Sequence, residues 1–207
     1  MKTIITIQHT QAIHHTNGMV GSWTDWSLTD KGKTCAENIG KRLAAELTGK
    51  QVKIYCSDLT RTKQTAEPLA RFLGLPVEYR KELREINLGK ACGKTRDWLR
   101  ENGSPIKTID DSSFPDAESG RDVWDRLSSF YGEISPLVHE VTVIVAHGFV
   151  LPLWFAVWQK WDISMLCKAE FYGAAGGVSF MKEDEHGKHI IMRLNDMSYG
   201  GEDYRLI

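Results

Sequence analysis

The chain has 207 residues, 42% hydrophobic and 26% charged, with a formal net charge of −1. That balance excludes a disordered or fibrous chain and allows a sizeable buried core. The near-zero charge gives no broad electrostatic drive toward nucleic acid or an anionic membrane surface, so neither is expected as a partner.

Residues 2–7 form an apolar run without clean alternation, which predicts a strand covered on both faces. The run stops at Gln8, His9 and Thr10, and His14 and His15 follow within one short stretch. Thr29 is placed to cap a helix carrying Ala36, Ile39, Leu43, Ala44 and Leu47 at helical spacing, with Gly49 as its stop. Residues 52–56 predict a second strand. Ser57 is then the expected cap of a helix reaching about Phe72, with Gly74 as its stop and Pro68 expected to kink or shorten it. Residues 77–79 suggest a short third strand.

Residues 89–120 are polar and lack regular apolar spacing. They predict a long loop that acts as a lid over a site and sets specificity. Ser119 can cap a helix whose face is Val123, Leu127, Phe130 and Ile134. Residues 141–158 carry almost no charge and approach membrane-spanning length, but His147, Gly148 and Pro152 interrupt them. They predict a buried strand, a turn and a buried helix start. Residues 178–182 and 189–194 flank EDEHGK, which reads as a hairpin turn with His186 and His189 facing solvent. Trp154, Trp158 and Trp161 are expected to pack in the core and at its rim.

Strands alternating with helices imply an α/β layered fold with a mostly parallel sheet, read as one domain over residues 1–207. The four cysteines form no metal-binding spacing and read as reduced thiols of a cytoplasmic protein. The N-terminal residues show no apolar secretory core. Oligomeric state is not legible.

In such sheets, ligands bind beyond the carboxyl ends of the strands. His9, Arg61, Glu85 and His147 each follow a different predicted strand. Two histidines, an arginine and a glutamate suit phosphoryl transfer, in which spread negative charge needs cations and donors around it. A neutral imidazole can be the covalent nucleophile, and a carboxyl group can serve first as acid and then as base. No Walker loop or acidic metal cluster accompanies them. His9, His14 and His15 could suggest zinc, but no carboxylate or thiol spacing supports it, so no metal or cofactor is expected. Each residue alone has a plainer reading: a lone histidine or loop glutamate is usually solvated or satisfied. Arg61 is harder to dismiss, because a cation in a helix's first turn opposes the helix dipole.

Together these residues resemble the histidine phosphatase superfamily, also called phosphoglycerate mutase-like. Its opening Arg-His-Gly corresponds here to Gln8-His9-Thr10. Trp23-Thr24-Asp25 and Leu28-Thr29-Asp30-Lys31-Gly32 match its next segment. SDLTRTKQTA matches the second motif throughout, Leu83, Glu85, Gly89 and Gly93 the third, and His147-Gly148 the fourth. The resemblance implies a three-layer α/β sandwich with a mixed sheet. It also implies His9 as phosphoryl acceptor, Arg61 and His147 as phosphate-binding groups and Glu85 as general acid and base. Gln8, His15, Ser22, Trp23 and Gly148 are the further substrate-binding candidates.

The departures are Gln8 for arginine, Thr10 for glycine, and His15 where many members carry asparagine. His14 or His15 is expected to restore part of the charge that Gln8 lacks. The expected activity is a metal-independent phosphomonoesterase for a small phosphorylated metabolite. A pseudo-phosphatase that only binds such ligands, a phosphoglycerate mutase and a metal-dependent hydrolase stay open.

Overall fold

The structure is a computed structural model that describes residues 2–137 and 139–201. Its centre is a six-stranded sheet in the order β3-β2-β4-β1-β5-β6. These strands are β1 (Lys2–Gln8), β2 (Val52–Ser57), β3 (Val77–Arg80), β4 (Val141–Ala146), β5 (Val178–Glu183) and β6 (His189–Asp196). Strands β3, β2, β4 and β1 pair in parallel, whereas β5 and β6 join antiparallel as the expected hairpin. Every strand foreseen in the sequence is present.

Helices cover both faces. Helices α1 (Asp30–Glu46) and α2 (Thr60–Leu73) pack with Ile5, Ile7, Ile54, Cys56, Val143 and Val145. Helices α4 (Gly120–Ile134) and α5 (Val150–Trp158) cover Tyr55, Ile144 and Ala146 on the other face. The period-2 alternation of β2 and β4 thus feeds two cores, which is why these strands read as continuous apolar runs. Trp154 and Trp158 are fully buried in the second core, and no described helix is long and apolar enough to cross a membrane.

Thr29 and Ser119 cap α1 and α4 as expected, accepting from the Gly32 and Asp122 amides. Ser57 does not cap α2: it is the last residue of β2, and the N-cap position is Leu59, which has no capping side chain. Asp25 performs that task from outside the helix, its carboxylate accepting from the Thr60 amide at 3.2 Å and from the Thr60 hydroxyl at 2.9 Å. Pro68 does not shorten α2, which continues to Leu73. Instead Pro68 packs on Gly40 of α1, where an added Cβ would stand 2.8 Å from the proline Cβ.

The segment 89–120 is less irregular than its composition suggests. It contains α3 (Arg96–Asn102), capped by Thr95, and a small apolar centre where Trp98 meets the buried Phe114 at 5.7 Å. Seven residues are too short to show a helical apolar stripe, so the sequence reading missed α3. His189 is a second correction. It is partly buried, stacked on Trp158 at 4.3 Å, with its Nδ1 bonded to the Trp158 carbonyl; His186 is exposed as expected.

Candidate active site

Parallel register sets the centre of the site. Gln8 pairs with Ala146, so the chain leaves β1 and β4 at the same height and places His9 and His147 side by side. Their rings lie 5.1 Å apart, edge to face, and both are buried. β2 ends next to β4, and Ser57 meets the His147 Nε2 at 2.8 Å.

His9 is held in one tautomer. Its Nδ1–H donates to the Thr10 carbonyl at 2.9 Å, which leaves Nε2 as the ring's acceptor nitrogen. Arg61 faces that lone pair, its Nε–H donating to His9 Nε2 at 3.2 Å. Its remaining nitrogens donate to the Thr24 and Ser22 carbonyls, both at 2.8 Å. Arg61 is fully buried, and these backbone acceptors orient it while the Glu85 and Asp25 charges act on it from further away.

The SDLTRTKQTA motif gains a physical reading residue by residue. Ser57 meets His147, and Arg61 meets His9. Gln64 accepts from the Leu28 amide at 2.7 Å, and Thr65 accepts from the Thr10 amide at 3.2 Å. Thr10, the departure from glycine, donates its hydroxyl to the Gly32 carbonyl at 2.8 Å. Gly32 is obligatory there, because a Cβ would lie 2.0 Å from the Gln11 carbonyl oxygen.

Glu85 reaches the same centre from the loop after β3. Its carboxylate accepts from the Ile86 amide at 3.0 Å and the Phe149 amide at 3.4 Å. Burial raises its pKa, against the lowering pull of these amides and of Arg61. A carboxyl group with a raised pKa is suited to carry a proton. Its backbone is clamped: Trp23 Nε1 donates to the Glu85 carbonyl at 2.6 Å and Arg126 to the same oxygen at 3.2 Å. Trp23, 37% exposed, thus braces the chain beside Glu85.

Ser22, unusual in having φ +42, gives its hydroxyl to the Ile86 carbonyl and accepts from the Leu88 amide, while its own carbonyl holds Arg61. It couples Arg61 to the Glu85 loop, a part invisible in the sequence because it depends on backbone groups. Strained residues of this kind persist where the surroundings fix them, often at functional sites.

Gln8 lies beside the site between two glycines. A Cβ at Gly148 would stand 3.2 Å from its Nε2, and one at Gly173 2.7 Å from its Oε1. The loop carrying Gly173 was not foreseen as part of the site. His14 and His15 complete the cluster: His15 stacks on His9 at 5.3 Å, and His14 lies 5.7 Å from His9 and 4.1 Å from His15. Burial, then the His15 and Arg61 charges, lowers the pKa of His14 to about 3. Burial, then Arg96 and Arg61, lowers that of His15 to about 4. Both are neutral near pH 7 in the free protein, which corrects the expectation that they replace the missing cation. His9 and His147 are likewise held neutral by burial and then by Arg61.

Gln8 Oε1, His14 Nδ1 and His147 Nδ1 are buried among the described residues without a hydrogen-bond partner. Buried polar atoms normally have partners, so these three leave hydrogen-bonding capacity unused beside the histidine cluster.

The structure is thus a layered α/β fold that gathers two strand-end histidines and a buried arginine in one centre. The sequence profile of the Histidine phosphatase superfamily (branch 1) matches residues 4–196, and the chain belongs to that family. A 2,3-bisphosphoglycerate-dependent phosphoglycerate mutase of Bartonella henselae is 31% identical over 159 residues, spanning 71% of this chain and 76% of its own. Its counterpart in Rhodopseudomonas palustris is 28% identical over 180 residues, spanning 82% and 86%. Among solved structures, Bacillus stearothermophilus YhfR superposes with a TM-score of 0.77 at 25% identity, over 97% of this chain and all of the other. The fold of a mycobacterial glucosyl-3-phosphoglycerate phosphatase also matches, with a TM-score of 0.81 over 94% of this chain and 99% of that one, at 19% identity.

Proposed function

We propose that the protein is a cytoplasmic, metal-independent phosphomonoesterase that hydrolyses a small phosphorylated metabolite through a phosphohistidine on His9. The observation that carries this reading is the buried His9 with Nδ1 fixed to Thr10 and Nε2 directed at Arg61. A neutral imidazole so oriented can attack phosphorus with its Nε2 lone pair once Arg61 turns to the phosphoryl oxygens. Arg61 and His147 stabilise the charge on the transferring oxygens. Glu85 protonates the leaving oxygen and then takes a proton from the attacking water. The three unpartnered atoms around the cleft support a ligand rich in donors and acceptors.

The test is a screen of phosphate monoesters with and without chelator, followed by acid and alkaline quench. Chelator-resistant turnover and an acid-labile, base-stable phosphate absent from His9→Ala are expected. Substantial activity in His9→Ala would overturn the mechanism.

Two other readings each have one observation behind them. The mutase reading rests on the relatives named phosphoglycerate mutases, and a phosphoglycerate isomerisation assay separates it. The pseudo-phosphatase reading rests on Gln8, which lacks the charge and fork of arginine, and saturable phosphate-ester binding without turnover would favour it.

A further inference from the structure

His9, His14 and His15 each offer one ring nitrogen, and these atoms lie within 4.8 Å of one another. The sequence raised these three histidines as a zinc possibility without supporting carboxylate or thiol spacing, and two adjacent histidines need not share a face. The short 3-10 turn over Ile13–His15 brings both rings back over His9.

The geometry points to a three-imidazole site for a borderline divalent metal, such as Zn²⁺, Ni²⁺ or Cu²⁺, whose occupancy is mutually exclusive with phosphoryl transfer to His9. Neutral imidazole suits these metals, and three nitrogen ligands with an open fourth position form a familiar coordination set. His9 already has the arrangement of a metal-bound histidine, with its far nitrogen donating to a backbone carbonyl. The buried Nδ1 of His14 has no competing partner. His15 is the ligand that must yield most, since its Nδ1 accepts a long 3.2 Å bond from the Ala12 amide. A tetrahedral site with metal–nitrogen bonds of 2.0–2.1 Å needs nitrogens about 3.4 Å apart, so nitrogens up to 4.8 Å apart must close by as much as about 1.4 Å. Rotation of the partly exposed His15 supplies much of that movement.

The exclusion follows from one lone pair. Arg61 donates to the Nε2 that the metal would take, and that same nitrogen attacks phosphorus in the proposed reaction. The guanidiniums of Arg61 and Arg96 are the charges acting on His14 and His15, and they set the affinity below that of a site with a carboxylate ligand. The site is therefore inhibitory and not a resident cofactor site.

The test titrates Co²⁺, then Zn²⁺ in competition, onto tag-free, chelator-treated full-length protein and reads the cobalt absorption bands. One equivalent with the intense bands of four-coordinate cobalt is expected, weakened more than about tenfold in His14→Ala. Thermal melts confirm that the variant is folded, and His14→Phe serves if it is not. Orthovanadate should displace the metal. Because the readout is binding to the free protein, an inactive enzyme leaves the test intact. Absence of binding, equal affinity in a folded His14 variant, or simultaneous binding of metal and vanadate would each overturn the proposal. Equal affinity would assign the metal elsewhere.

Discussion

Two residues, Glu85 and Gln8, give the proposed reaction its sharpest tests. Glu85 is held by the Ile86 and Phe149 amides, and its pKa is raised by burial. Glu85→Gln keeps the shape but removes the transferable proton. Turnover of alkyl phosphates should fall about 10²–10⁴-fold while aryl phosphates with good leaving groups are largely spared. Equal losses in both classes would remove Glu85 from the acid role. Gln8 keeps donors but has no charge, and its Oε1 is buried without a partner. Gln8→Arg would replace that orphan with a cation, in a position where the side chain already packs closely on Gly148 and Gly173. Restoring one preorganised donor should raise kcat/KM for an aryl phosphate by no more than about 10²–10³-fold. Loss of activity in this variant would mean that the pocket has been rebuilt around glutamine.

At the scale of elements, close approach of α1 and α2 carries the site, because α2 brings Arg61 and its Gln64 and Thr65 ties to the strand-end loops. Gly40 permits that approach: a Cβ there would stand 2.7 Å from the Leu69 amide nitrogen and 2.8 Å from the Pro68 Cβ. Gly40→Ala gains helix propensity but forces the helices apart. A net loss of about 1–3 kcal/mol is expected by denaturant unfolding, and an unchanged or raised midpoint would contradict this packing. The segment 89–120 is tied at both ends. Arg96 donates to the Gly18 and His14 carbonyls, while Glu118 binds Arg126 and the Asn87 amide beside Glu85. These ties hold the two ends of the segment against the chain around His14 and Glu85.

At the scale of the whole molecule, four neutral histidines packed into one centre couple stability to pH. Burial depresses the pKa of His9, His14, His15 and His147 from 6.5 in each case, to about 3 for His14 and about 4 for His15. A depressed folded pKa means that the unfolded chain binds protons first as pH falls. The stabilisation is complete above pH 6.5 and is lost progressively on acidification toward pH 4 and 3. Each histidine that stays neutral costs up to about 1.4 kcal/mol per pH unit in that window, less for the partly exposed His15. Thermal melts between pH 7.5 and 5 should show a steady fall in Tm; a flat profile would mean that these histidines are solvated.

The sequence by itself determined the strands, the two-faced cores and the four chemistry-bearing strand ends. These depend on local periodicity and on motif residues such as SDLTRTKQTA, which are visible along the chain. It could not determine what distant backbone groups do. Asp25 caps a helix that starts 35 residues later, Ser22 joins Arg61 to the Glu85 loop, and Pro68 survives in α2 by packing on Gly40. It also misjudged the charge state of His14 and His15. Imidazole alone is partly protonated near neutrality, and only the tertiary structure buries these rings beside Arg61 and Arg96 and so holds them neutral.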